Sequence, residues 1–102
     1  MSAEGESPVL TRTLLIRNRR GLHARAAAKL VGLVEQYSAA VEVKRREPAG
    51  DGEAVSARSI MGLMMLGAGL GSEIDVSASG WDAKEALDAL SSLVEAGFNE
   101  QD

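Results

Sequence analysis

Gly21-Leu22-His23-Ala24-Arg25-Ala26-Ala27-Ala28 holds the single histidine of the chain and stands at a change of hydrophobic period. Before it, Leu14, Leu15 and Ile16 read as the end of a strand. After it, Ala24 to Gln36 reads as an amphipathic helix with Ala27, Leu30, Val31 and Val34 on one stripe. The imidazole is therefore expected where a strand turns into a helix. The first backbone N–H groups of a helix have no partner within it, and the aligned peptide dipoles favour negative charge there, so a phosphate can rest on them. Arg25 adds a fixed positive charge within a turn. Imidazole, with a free pKa of about 6.5, is mostly neutral near pH 7. It is nucleophilic in that form and leaves readily once phosphorylated. These residues nominate His23 as a phosphoryl acceptor and Arg25 as the charge that steadies the group. The plain alternative is a histidine that only caps a helix start.

Composition narrows the classes. At 102 residues the chain is one domain, long enough for a single core and short for an enzyme with its own substrate domain. Hydrophobic residues at 45% and charged ones at 25% are those of a soluble globular protein. With no cysteine, neither a disulfide frame nor a thiolate metal site is available. The net charge of -4 argues against a general polyanion binder. No apolar run approaches the roughly 20 residues of a membrane helix, and no basic segment followed by an apolar one opens the chain. The expected location is the cytoplasm.

Residues 1–9, small, acidic and polar at the start, read as a disordered tail. A strand is expected at about Leu10 to Arg17, then an approach of Asn18, Arg19, Arg20 and Gly21. Ala40 to Arg45 alternates apolar and charged residues as a half-buried strand. Pro48 to Gly52 supplies a turn, and Glu53 to Ser56 a short strand pairing back. Ser59 stands as an N-cap before the apolar run Ile60-Met61-Gly62-Leu63-Met64-Met65-Leu66. Leu63 and Leu66 can face the sheet, but Ile60, Met61 and Met64 cannot all follow, which suits a docking face; Met65 reads as a core filler. Gly67-Ala68-Gly69-Leu70-Gly71 follows a helix and precedes a strand, the reverse of a dinucleotide fingerprint, and reads as a connection. Ser72 to Ala78 alternates as a fourth strand. Asp82-Ala83-Lys84-Glu85 has a capping-box pattern opening a last helix, with Asp82, Glu85, Asp88 and Glu95 on its wet side. Gly97 ends that helix with Phe98 available to fold back, and residues 99–102 read as a tail. Periodicity supports an α+β fold in the order βαββαβα. An RNA-recognition module shares most of this order but needs strand aromatics and basic surface, and Tyr37, Trp81 and Phe98 all lie outside the strands. No paired carboxylates, metal-ligand cluster or nucleophilic triad emerges.

The run GLHAR, then Ala57-Arg58-Ser59-Ile60-Met61-Gly62-Leu63-Met64, then Ile74-Asp75-Val76-Ser77-Ala78-Ser79-Gly80, closely resembles the histidine-containing phosphocarrier (HPr) family of the bacterial phosphotransferase system. The resemblance covers about residues 10 to 97. It implies an open-faced β-sandwich, a four-stranded antiparallel sheet with three helices on one face, occupying residues 10–98. It also implies a carrier, expected to be monomeric, that takes phosphate on His23 from Enzyme I and passes it to an enzyme IIA-type acceptor, with no cofactor, metal or nucleic acid of its own. Arg20, Leu22, Ala24, Ile60, Met61 and Met64 would form the docking face for both partners. Ser59 resembles the site modified by a dedicated serine kinase, the HPr kinase/phosphorylase, in many members. Two positions depart from the family pattern: Arg20 replaces a common asparagine, and Ala26 replaces a proline suited to the first helical turn. An alternative within this resemblance is a regulatory module whose phosphorylation state at His23 or Ser59 is read without sugar transport.

Overall fold

The computed structural model describes residues 8–47 and 52–100. Of the expected N-terminal tail, residues 1–7 lie outside the described residues; so do residues 48–51 of the expected turn and residues 101–102. The elements run β1 (Leu10–Leu15), α1 (Ala24–Val34), β2 (Ala40–Arg45), β3 (Ala54–Ser56), α2 (Ile60–Met65), β4 (Glu73–Ser79) and α3 (Ala83–Glu95), with a 3-10 turn at Gly97–Asn99. This is the expected βαββαβα order. The strands form one sheet in the order β1-β4-β2-β3 with every neighbouring pair antiparallel.

Alternation sets the two faces of the sheet. Leu14 opposite Ile74, Val43 opposite Val76 and Val41 opposite Ala78 all point inward and are buried. The residues between them face water. On that open side the Thr13 hydroxyl donates to Asp75 Oδ1 at 2.6 Å, and Arg46 donates to Thr13 Oγ1 at 2.9 Å, so polar groups that no helix covers pair with one another. The helices close the other face with Leu30, Val31 and Val34 of α1, Leu63 of α2, and Leu87, Leu90 and Val94 of α3. Among the described residues no helix is long and apolar enough to cross a membrane.

Helix α1 stops at Val34, short of the expected Gln36, because the amides of Gln36 and Tyr37 bond three residues back, to Leu33 and Val34, and tighten the last turn. The expected capping box of α3 does not form. Asp82 is buried rather than on the wet side, and its carboxylate makes no cap; Oδ2 instead accepts from the Ser38 amide at 2.8 Å. That bond ties the α3 entrance to the turn before β2, a distant acceptor the local pattern could not announce.

The other correction lies beyond α3. The expected tail begins too early, since Asn99 closes the 3-10 turn and Glu100 packs into the molecule. Gly97, Phe98 and Asn99 all have positive φ (63°, 56° and 59°), which turns the chain back and drives Phe98 into the core with no exposed surface. Phe98→Ala is expected to lower stability by about 3–5 kcal/mol in urea denaturation, the cost of an emptied aromatic site.

Candidate functional site

The site begins with a backbone contact. Gly21 has φ 65°, and a Cβ there would lie 2.4 Å from the Ala68 carbonyl oxygen and 2.7 Å from Gly69 Cα. Only glycine fits so close to another backbone. The next amide, of Leu22, donates to that same Ala68 oxygen at 2.9 Å. The connection after α2 thereby pins the two residues before the histidine, a role the sequence did not assign to Ala68 or Gly69.

His23 follows as the N-cap of α1, in extended conformation, with its carbonyl accepting from the Ala27 amide at 2.9 Å. Its ring Nδ1 accepts from the Arg25 amide at 3.2 Å. An accepting Nδ1 is unprotonated, so the neutral ring carries its hydrogen on Nε2. Nε2 faces Glu100 Oε2 and donates to it. No acidic residue occupies the first turn of α1, which leaves the positive end of the helix uncancelled from within.

Glu100 and Asn18 are site residues that sequence reasoning missed. Glu100 Oε1 accepts from Asn18 Nδ2 at 3.0 Å, and the same Nδ2 donates to the Gly21 carbonyl at 2.8 Å. Asn18 is buried and its Oδ1 has no hydrogen-bond partner among the described residues. Burial is the strongest single influence on the Glu100 carboxyl and pushes its pKa up. The bonds from Asn18 and His23, with the charge of Lys29, outweigh it and hold the group below the ordinary glutamate range. Glu100 is thus a carboxylate at neutral pH. The side chains of the pair are only 15% and 10% exposed, so water screens their contact little. Nothing local marks Glu100, 77 positions after His23.

The remaining expected residues separate into two groups. Arg20, Ala24 and Arg25, close to His23 in the chain, are exposed, as are Ile60, Met61 and Met64 on α2, which packs against α1. Leu22 is a correction: at 4% exposure it is part of the core beneath the site and not of a docking surface. Met65 is another, since it is 81% exposed and fills no core gap. The helix is only six residues long, and its inward side is taken by Leu63. Ser59 caps α2 as expected, its Oγ accepting from the Gly62 amide at 2.9 Å. Among the described residues no group of three or more His, Cys, Asp or Glu side chains is placed to hold a metal ion.

A histidine with an unprotonated nitrogen at the start of a helix, on a small α+β domain with exposed apolar residues on a neighbouring helix, is the arrangement that the class of protein-borne phosphoryl carriers requires. The family model described as "PTS HPr component phosphorylation site" matches residues 10–96. The phosphocarrier protein NPr of Proteus mirabilis is 43% identical over 89 residues, 87% of this chain and 94% of that one. The phosphocarrier protein HPr of Cupriavidus necator is 44% identical over 92 residues, 90% and 98% of the two chains. The crystal structure of HPr-C-His from Thermoanaerobacter tengcongensis superposes with a TM-score of 0.79 at 40% identity, covering 90% of this chain and 98% of that one. The chain belongs to the HPr family of phosphotransferase-system phosphocarriers.

Gly21→Ala tests the backbone contact on which the site is built. It is expected to cost more than about 1 kcal/mol in urea denaturation, because alanine meets both the left-handed backbone and the Ala68 carbonyl. The amide resonances of Leu22 and His23 should shift with it.

Proposed function

We propose that this chain, as a cytoplasmic monomer, accepts a phosphoryl group on Nδ1 of His23 from phosphorylated Enzyme I and hands it to an enzyme IIA-type acceptor. The observation that carries this is the asymmetry of the ring: Nδ1 faces the Arg25 amide in the first turn of α1, whereas Nε2 faces a carboxylate that would repel a phosphate. In the forward step the donor's N–P bond breaks as the Nδ1 lone pair forms the new one, and Nε2 keeps its proton. The Arg25 amide, released from Nδ1, then has a phosphoryl oxygen to meet. The exposed Arg25 guanidinium supplies a second positive charge as the group arrives and departs. Little covalent work falls to the protein, so alignment and charge stabilisation set the rate.

Docking is assigned to Arg20 and Ala24 beside the ring and to Ile60, Met61 and Met64 on α2. Their shared exposure supports one apolar face with a basic margin, and flexible methionines suit a surface that meets partners in turn. Ser59 is assigned as a regulatory phosphorylation site for a dedicated kinase. A phosphate on it would put close to two negative charges at the edge of that face, next to Ile60 and Met61.

With Enzyme I and labelled phosphoenolpyruvate, the wild-type chain should take up one phosphoryl group and His23→Ala none. Nitrogen-phosphorus coupling in the labelled product should place the phosphorus on Nδ1, and labelling of His23→Ala equal to wild type would refute the assignment. Phosphorylation at Ser59 should slow uptake from Enzyme I by about tenfold or more through like-charge repulsion at the interface. An unchanged rate of the Ser59-modified protein would remove the regulatory reading and leave the carrier reading standing.

A further inference from the structure

We propose that Glu100, held in place by Asn18, is a positioning residue of the relay: it fixes the hydrogen of the His23 ring on Nε2 and stabilises the positive charge the ring acquires when Nδ1 bonds to phosphorus. This rests on the carrier reading and deepens it.

The geometry is that of a built clasp. One Glu100 oxygen serves His23 and the other serves Asn18, so the carboxylate bridges two donors. Asn18 in turn divides its two amide hydrogens between Glu100 and the Gly21 carbonyl. Flipping that amide would point its oxygen at two acceptors, so the orientation is dictated. The fold keeps that orientation with Asn18 Oδ1 buried and without a hydrogen-bond partner among the described residues.

The segment that carries Glu100 is anchored with equal care. Phe98 is fully buried, and the Lys29 ammonium donates to its carbonyl at 2.6 Å. Phe98 and Asn99 both hold left-handed backbone, which asparagine tolerates but a bulky aromatic residue adopts only when the surroundings enforce it. The outcome of this strain is that the chain swings back over α1 and presents a carboxylate to the ring.

The chemistry follows from which nitrogen reacts. When the Nδ1 lone pair forms the bond to phosphorus, the donor's N–P bond breaks and its electron pair returns to the donor. The His23 ring, still protonated on Nε2, takes on imidazolium character. A carboxylate against Nε2–H lowers the energy of that charge while standing across the ring from the anionic phosphoryl group. On onward transfer the ring leaves with its electron pair and the Nε2 hydrogen stays where it was. No proton has to move in either direction.

The test uses the full-length chain with a nitrogen-labelled histidine. Ring spectra near neutral pH should show a single Nε2–H tautomer in the wild type. Glu100→Gln has one acceptor where two are needed, so it should give a mixture of tautomers; Glu100→Ala and Asn18→Ala should do the same. Transfer from phosphorylated Enzyme I should lose roughly tenfold in kcat with KM within about twofold, the margin between a charge-assisted and a neutral hydrogen bond. A role limited to stability would lower the melting temperature and leave tautomer and kcat alone. An unchanged ring spectrum or an unchanged kcat in Glu100→Gln overturns the proposal while the carrier reading survives. A wild-type chain that takes up no phosphoryl group overturns both.

Discussion

The structure depends on one constraint: the two nitrogens of a single imidazole must meet opposite chemistries. Nδ1 accepts from an amide at the positive end of a helix and Nε2 donates to a carboxylate. Both conditions must hold on a ring only partly covered. Three separated parts of the chain converge to satisfy them. Gly21 and the Ala68 carbonyl bring the strand end close enough to deliver His23 as the N-cap of α1, the helix supplies the Arg25 amide, and the segment after α3 returns with Glu100. The sheet and its core are the frame that keeps these parts in register.

Half of that arrangement was legible in the sequence. The switch from strand to helix periodicity at Gly21-Leu22-His23 located the ring and its helix amides, since both are properties of neighbouring residues. The strand alternation and the apolar stripes of α1 and α3 were equally local, and the core they implied is the observed one. Ser59 caps its helix for the same reason: the acceptor and the amide lie three positions apart.

The other half was not legible, because it is made by residues brought together through tertiary structure. Asp82 carries a capping-box pattern yet spends its carboxylate on Ser38, 44 positions away. Leu22 sits directly before the part-exposed His23, and only the course of the backbone over Ala68 shows that its side chain turns in. Met65 was misread in the opposite sense, because a helix of six residues has room to bury little beyond Leu63. Glu100 followed what read as a finished helix and its cap. A positive φ at Phe98 and Asn99, which no residue pattern advertises, is what converts an apparent tail into part of the site.

The distance along the chain between His23 and Glu100 has a bearing on biosynthesis. A nascent polypeptide emerges from the ribosome starting at its first residue, so His23 and its helix are made long before the carboxylate that meets the ring. Phe98, the last large buried side chain among the described residues, is synthesised only two positions ahead of that carboxylate. Closure of the domain and completion of the His23–Glu100 contact are thus nearly simultaneous events, and an unfinished chain carries its histidine without the carboxylate that meets it.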